Sequence, residues 1–302
     1  MNNRMFFWVG ILVCSLVQSA EVSEELLPKP VAKIKAPALS ESSSLTQSRL
    51  IPGRYWSLND SGHAPELFAL DAEGNSLAVL KVEGVKNVDW EALSVDSEGG
   101  LWIGDFGNNL NKRKNLMIYR VDEPGEVLLT SLKPTRTLRF VFSDQKEFPP
   151  EKLNFDCEAM FVWDQKIYLL TKNRADRDAK FYRIENLESD ELQEAVLIDR
   201  FHKMGQVTDA ALSADGQRLA VLTFSGIWIF DRPEGSDLFL QGAGCHFKFK
   251  NWALEQVEGI AWIDEKTLLI CNEQKDIFRV PVEGEGWESF NSTAVEPADE
   301  LR

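Results

Sequence analysis

Val88-Asp89-Trp90-Glu91-Ala92-Leu93 sets a pattern that the rest of the chain repeats. Phe155-Asp156-Cys157-Glu158-Ala159-Met160 is its clearest copy. Val207-Thr208-Asp209-Ala210-Ala211-Leu212 and Val257-Glu258-Gly259-Ile260-Ala261-Trp262 are looser ones, and Glu41-Ser42-Ser43-Ser44-Leu45 is the faintest. In each, a short polar or acidic side chain stands just before an apolar, strand-like run. A second apolar run follows and ends in Asp, Lys, Thr or Asn. Glu91 to Asp105, Glu158 to Lys172, Asp209 to Thr223 and Glu258 to Asn272 are all steps of 14 residues. Equal spacing of this kind marks an internal repeat.

From Glu41 onward the chain is a series of short apolar runs rich in β-branched and aromatic residues. They are broken by Asp-Gly, Glu-Gly, Pro-Gly and Asn-Asp turns, and no long stretch keeps a helical period. The repeats run Glu41–Gly84, Val88–Asp144, Phe155–His202, Val207–Lys250 and Val257–Val282. Four short strands in units of roughly 45 to 65 residues predict an all-β fold, a β-propeller. Five four-stranded blades fill the chain, with six as the alternative count. The fifth repeat shows no fourth strand of its own, and Val31–Ile34 is the candidate to supply it and close the ring. A β-sandwich would leave the 14-residue echo without a cause.

Residues 1–20 read as a signal peptide: Arg4 lies in a positive start, Met5–Val17 is apolar, and Gln18-Ser19-Ala20 is a small-residue end. Cleavage fits after Ser19 or after Ala20, and the apolar stretch is shorter than the roughly 20 residues a spanning helix needs. This predicts a periplasmic or secreted protein with no stable membrane insertion once the leader is removed. Residues 21–40 read as a linker, 41–290 as one propeller domain and 291–302 as a C-terminal tail. The net charge is −15, and loss of Arg4 removes one positive charge to give −16. Such acidity argues against nucleic acid as a partner. Cys157, Cys245 and Cys271 follow the leader; an odd count allows at most one internal bridge.

In a propeller blade the innermost strand lines a central channel, and the second strand runs back beside it. Residues that begin the first strand and end the second therefore share a face. This places Ser43, Glu91, Glu158, Asp209 and Glu258 around the axis, one per blade. Glu41, Asp89 and Asp156, two residues earlier, point the same way because the strand period is two. Asn59-Asp60, Asp105, Asn108-Asn109 and Lys172-Asn173-Arg174 follow around the ends of the second strands. Four carboxylates and a hydroxyl converging on one axis need a counter-charge. An all-oxygen donor set with several carboxylates suits Ca²⁺, which takes six to eight oxygens at roughly 2.3–2.6 Å. The alternative is that the acids bond neighbouring backbone N–H groups or line a wet channel.

Two resemblances follow from these residues. Tyr55-Trp56-Ser57-Leu58-Asn59-Asp60-Ser61-Gly62, Asp89-Trp90-Glu91-Ala92-Leu93 and Leu101-Trp102-Ile103-Gly104-Asp105-Phe106-Gly107-Asn108-Asn109, with Arg113 and Tyr119-Arg120-Val121-Asp122-Glu123-Pro124, resemble a family of exported bacterial propeller proteins with little assigned function. More distantly, the set Ser43, Glu91, Glu158, Asp209, Glu258 is similar to the calcium-activated nucleotidase (apyrase) family. That resemblance implies a five-bladed propeller, a central Ca²⁺ held by Ser and Glu residues from each blade, and hydrolysis of nucleoside di- and triphosphates. Asp209 stands where that family favours a hydroxyl residue, and no matching set of phosphate-clamping arginines is found.

Two functions are expected to compete. One is a Ca²⁺-dependent hydrolase of nucleotides or other phosphate esters, with a small anionic substrate. There Lys172 and Arg174 would hold the phosphate charge, and Asp105 or Asp60 would orient water. The other is a non-catalytic binding or scaffold propeller of the cell envelope, with an envelope protein as partner, in which the ion is structural. A serine hydrolase is set aside: there is no G-x-S-x-G, and His63, His202 and His246 follow no recognisable serine and acid order. Trp56, Trp90, Trp102, Trp163, Trp228 and Trp262 sit in strand positions and read as packing between blades.

Overall fold

A computed structural model describes residues 27–126, 129–249 and 253–291. The leader, the first residues of the linker and all of the tail after Asn291 lie outside the described residues. No described helix is long and apolar enough to cross a membrane.

The fold is all-β with several sheets. Its strands are β1 (Pro30–Lys33), β2 (Ser42–Gln47), β3 (Arg54–Asn59), β4 (Glu66–Asp71) and β5 (Ser76–Val82), then β6 (Trp90–Val95), β7 (Gly100–Asp105), β8 (Leu116–Asp122), β9 (Ser131–Leu132) and β10 (Arg136–Phe142). They continue as β11 (Cys157–Trp163), β12 (Lys166–Thr171), β13 (Ala179–Ile184) and β14 (Gln193–Phe201), then β15 (Val207–Leu212), β16 (Arg218–Thr223), β17 (Gly226–Asp231) and β18 (Gly244–Lys248). The last are β19 (Val257–Asp264), β20 (Thr267–Asn272), β21 (Asp276–Pro281) and β22 (Trp287–Phe290).

Antiparallel meanders form in sequence order: β2-β3-β4-β5, β6-β7-β8-β10, β11-β12-β13-β14 and β15-β16-β17-β18. The fifth, β19-β20-β21, takes its outer strand from the other end of the chain: β1 pairs antiparallel with β21, Lys33 opposite Asp276. The expected closing strand is therefore present, and it makes part of the expected linker a strand. The second and third meanders merge into one sheet through parallel pairing of β10 with β14. Two short strands add to outer edges, β9 beside β5 and β22 beside β18; neither carries enough alternating apolar residues to read as a strand in the sequence.

The core lies between the meanders. Strands with both faces covered read as nearly continuous apolar runs, and alternate residues serve opposite neighbours. Thus Leu101 and Ile103 pack toward the first meander while Trp102 between them packs toward the third. Leu219 and Val221 face the third meander, Ala220 and Leu222 the fifth. A fifth apolar cluster, including Leu45, Phe68, Leu269 and Ile277, joins the last meander to the first. The inner strands follow the same circuit: β2 packs on β6, β6 on β11, β11 on β15, β15 on β19 and β19 on β2. Trp56, Trp90, Trp102 and Trp262 sit in these clusters, as their strand positions suggest. Cys157, Cys245 and Cys271 are all free, so none of them forms the single bridge the count allowed.

Candidate functional site

Each inner strand carries a β-bulge at its start. The pairing skips one residue in every case: Ser43 between Ser42 and Ser44, Glu91 between Trp90 and Ala92, Glu158 between Cys157 and Ala159, Thr208 between Val207 and Asp209, and Glu258 between Val257 and Gly259. A bulge leaves its extra residue unpaired and re-aims the side chain. The residues at the bulges, called the ring below, are therefore Ser43, Glu91, Glu158, Thr208 and Glu258, each less than a tenth exposed.

This corrects one member of the expected set. Asp209 lies one residue past the ring, in line with Ser44, Ala92, Ala159 and Gly259. Those small residues leave room for its carboxylate, which is fully buried. Asp209 accepts hydrogen bonds from the Ile260 N–H at 2.9 Å, the Leu45 N–H at 3.2 Å, its neighbour Ala210 N–H at 2.9 Å and the Ser44 hydroxyl at 3.3 Å. Burial pushes its pKa well above the usual range, and the four donors oppose that push. It ties together three inner strands and has little left to offer an ion. The uniform 14-residue step misled here. Measured from the bulge residue to the partner of the preceding position, the step is 14 for Glu91–Asp105 and Glu258–Asn272, but 13 for Glu158–Thr171 and 15 for Thr208–Thr223.

The ring has two buried hydroxyls without a hydrogen-bond partner, Ser43 Oγ and Thr208 Oγ1. Its three carboxylates are not equivalent. Lys172 Nζ lies 3.2 Å from Glu158 Oε2 and 4.0 Å from Glu258 Oε1, and 4.8 Å from the centre of the Phe224 ring. Burial disfavours its charge, yet the surrounding carboxylates of Glu158, Glu258 and Glu91 hold its pKa above the usual lysine value. Lys172 is thus a resident counter-ion rather than a free phosphate clamp. Glu258 is nevertheless pushed up to about 7, first by burial.

Arg174 donates from Nε to Asp156 Oδ2 at 3.1 Å and also bonds Asn109. Asp156 is fully buried and accepts the Asn108 N–H through its other oxygen. Asp105, expected to face a substrate, is fully buried: its Oδ1 takes Arg113 Nη2 at 2.8 Å and the Asp89 N–H at 3.1 Å. It holds a loop in place instead of meeting solvent. Asp60 does stand at the rim, half-buried, and forms a compact group with Asp89 and Glu91: one carboxylate oxygen from each lies within 4.8 Å of the others. Burial and then the Asp60 charge raise Asp89 to about 6, and burial with Glu158 and Asp60 lifts Glu91 well above the usual range.

Near this rim the structure also pairs residues that sequence order did not connect. Ser40 Oγ is 2.8 Å from His63 Nε2, with His63 Nδ1 3.1 Å from the Ser61 carbonyl and 3.8 Å from Glu41. The N–H groups of Ser40 and Glu41 both donate to Asn59 Oδ1, so the two amides nearest the hydroxyl do not form an oxyanion site.

No family model matches the chain, and no curated protein matches it. Its structure is distantly similar to β-propeller-containing proteins. One is in the crystal structure of a nidogen/laminin complex, with TM-score 0.44 and 8% identity, covering 83% of this chain and 81% of that one. A second is the hydrazine synthase of Kuenenia stuttgartiensis, with TM-score 0.44 and 12% identity over 82% of this chain and 78% of that one. A third is the complex of KlAtg21 with the coiled-coil of AgAtg16, at TM-score 0.40 and 13% identity, covering 83% and 69% of the two chains.

Proposed function

We propose that the chain is a five-bladed β-propeller, each meander one blade, that binds a divalent cation at the mouth of its axial channel and works as a binding module. The observation that carries this is the bulge ring. Three carboxylates and two hydroxyls stand at equivalent bulge positions of the five inner strands, and both hydroxyls are buried without partners. Buried polar groups are ordinarily satisfied, and an orphaned one calls for a missing partner. All five donors are oxygens, which fits Ca²⁺ better than metals that favour nitrogen or sulfur. Thr208 also supplies a hydroxyl at the ring position where Asp209 departed from the calcium-activated nucleotidase pattern.

Binding is favoured over phosphoryl transfer because three of the four groups that hydrolysis would use, all but Asp60, are already in ion pairs. Asp105 is held by Arg113, Arg174 by Asp156, and Lys172 by Glu158. An ion joining donors from separate blades would tie the ring shut and give an anionic group of a partner protein a point of attachment.

Thermal unfolding in Ca²⁺ and in chelator tests the reading. A ligand that binds only the native state stabilises it by about 2.7 kcal/mol at a hundredfold excess over Kd. For a chain of this size that is a rise of several degrees in Tm. The expected result is that rise, with no turnover of nucleotides or generic phosphoesters. An unchanged Tm would sink the metal site. Turnover lost in Glu158→Gln would replace the binding module with the hydrolase.

A further inference from the structure

The bases at the mouth are not shared evenly. Lys172 lies between Glu158 and Glu258, Arg174 on Asp156, and Arg113 on Asp105. Asp60, Asp89 and Glu91 are left together on the side where the first and second meanders meet. The nearest base to them is Arg113, whose Nη1 donates to the Gly107 carbonyl at 2.7 Å and lies 3.9 Å from Asp89 Oδ2. Its strong contacts are elsewhere.

We infer that the cation sits off the axis, on Asp60, Asp89 and Glu91, with the Ser43 hydroxyl as a further donor, while Lys172 takes the place of an ion in the opposite half of the ring. This rests on the cation-binding reading above and assigns its seat. Three observations support it. The three carboxylate oxygens already lie within 4.8 Å of one another, a span that oxygens about 2.3–2.6 Å from a common Ca²⁺ can have. Ser43 is 2% exposed and its Oγ has no partner. Its strand β2 packs directly on β6, and its bulge position matches that of Glu91, so the orphaned hydroxyl is turned to the same mouth beside Glu91. The third is Gly107. A Cβ placed there would lie 2.3 Å from Glu91 Oε1 and 2.6 Å from Asp89 Oδ2. Bare backbone at this point lets both acids lean into one space.

The donor set is three carboxylates and a hydroxyl, with Asp60 and Asp89 reaching solvent at the rim. Water would complete the coordination of a hard cation, so the class of ligand is Ca²⁺ or another oxygen-seeking divalent ion. Lys172 explains why the other two ring acids are not needed for the ion. An ammonium bonded to Glu158 and close to Glu258 offsets part of the charge of that half without one.

Calcium binding to the full chain by isothermal titration calorimetry separates the two geometries. Asp60→Asn and Asp89→Asn are expected to weaken Ca²⁺ binding at least tenfold, and Ser43→Ala about threefold. Glu258→Gln is expected to change it less than threefold. Equal losses in Glu258→Gln and Asp60→Asn would put the ion on the axis and overturn the off-axis seat while leaving cation binding intact. No heat of Ca²⁺ binding in the wild type would defeat both. Circular dichroism checks that each variant folds. Asp60 is a half-buried rim residue whose substitution leaves the apolar clusters untouched, so its result stands even where another variant fails to fold. Lys172→Met supplies an independent arm: it should uncover a second, weaker site on Glu158 and Glu258. A single site of unchanged affinity in that variant counts against the role given to Lys172.

Discussion

Two layers of the channel lie one residue apart and treat a buried acid in opposite ways. The bulge layer contains Glu91, Glu158 and Glu258 and two unpartnered hydroxyls, with one lysine beside two of the acids. In the layer beneath, Asp209 alone occupies the space left by Ser44, Ala92, Ala159 and Gly259, and four donors converge on it. Both layers bury carboxyl groups. Only one of them meets its acid with backbone N–H groups, which favour the charged form and fix its place. A buried carboxylate with a full donor set serves the fold, and one without it is available for chemistry.

The comparison breaks most openly at Asp209. Asp209→Ala would leave the Ile260 and Leu45 amides and the Ser44 hydroxyl buried without their acceptor. Removing one side of a buried hydrogen-bonded network is expected to cost about 3–5 kcal/mol. Urea unfolding should show that loss, and Ca²⁺ should not restore it. A loss below about 1 kcal/mol would show that Asp209 is not the tie between the inner strands.

Glu91→Gln should move stability in the other direction. At pH 8 in chelator, ionising a carboxyl whose pKa is raised works against the fold, so the neutral amide is expected to be more stable than wild type. In Ca²⁺ the same variant should lose the stabilisation that the wild type acquires. Destabilisation in chelator would mean that Lys172 and the hydroxyls already satisfy Glu91, and the contrast between the layers would disappear.

His246 shows what burial does without a compensating acid. It stacks on Trp228 with ring centroids 3.6 Å apart and an 8° interplanar angle. Burial, with some help from Lys248, lowers its pKa to about 3. The unfolded chain takes up a proton near pH 6.5 and the folded one does not until about pH 3. The unfolded state therefore binds more protons in that window, and stability falls as pH drops through it. The slope contributed is up to about 1.4 kcal/mol per pH unit. Chemical denaturation at pH 7 and pH 5 should show His246→Phe, which keeps the stack, gaining stability relative to wild type as pH falls. An unchanged difference between variant and wild type at the two pH values would remove His246 as a source of acid sensitivity, since the raised acids of the mouth gain stability as pH falls.

Much of the architecture was legible because strands buried on both faces leave a strong signal. The apolar runs around Leu101–Ile103 and Leu219–Leu222 mark inner-sheet strands, and the lack of a fourth strand after Val280 led to the residues around Val31. The short edge strands Ser131–Leu132 and Trp287–Phe290 were not legible, since an edge needs few apolar residues. The bulge positions were legible to within one residue. Glu91, Glu158, Glu258 and Ser43 stand at the bulges, but a bulge is set by pairing across the sheet, and hairpins of unequal length shift it. That shift separates Thr208 from Asp209. The nature of the residues misled as well: between a threonine and an aspartate, the acid looks like the ligand, although here the acid is the one with a complete set of donors. The pairing of Asp105 with Arg113 was hidden for a similar reason, because the arginine comes from the loop after Asn111 and folds back under the mouth.

The hydroxyls give the smallest and most selective test of the two layers. Thr208→Val keeps the shape of the side chain and removes only an oxygen that has no partner. Losing an unsatisfied buried hydroxyl removes a desolvation cost, so in chelator the variant is expected to be neutral or to gain up to about 1 kcal/mol. Ser44→Ala, one layer down, removes a hydroxyl that donates to Asp209 and accepts the Leu93 N–H at 2.9 Å. That change should cost about 1–3 kcal/mol. The two variants differ from wild type by similar numbers of atoms, at equally buried positions of equivalent strands, so the sign of their difference reports donor satisfaction and not burial. A destabilised Thr208→Val would mean that its hydroxyl has a partner in solution, and the bulge layer would then be as fully bonded as the layer beneath it.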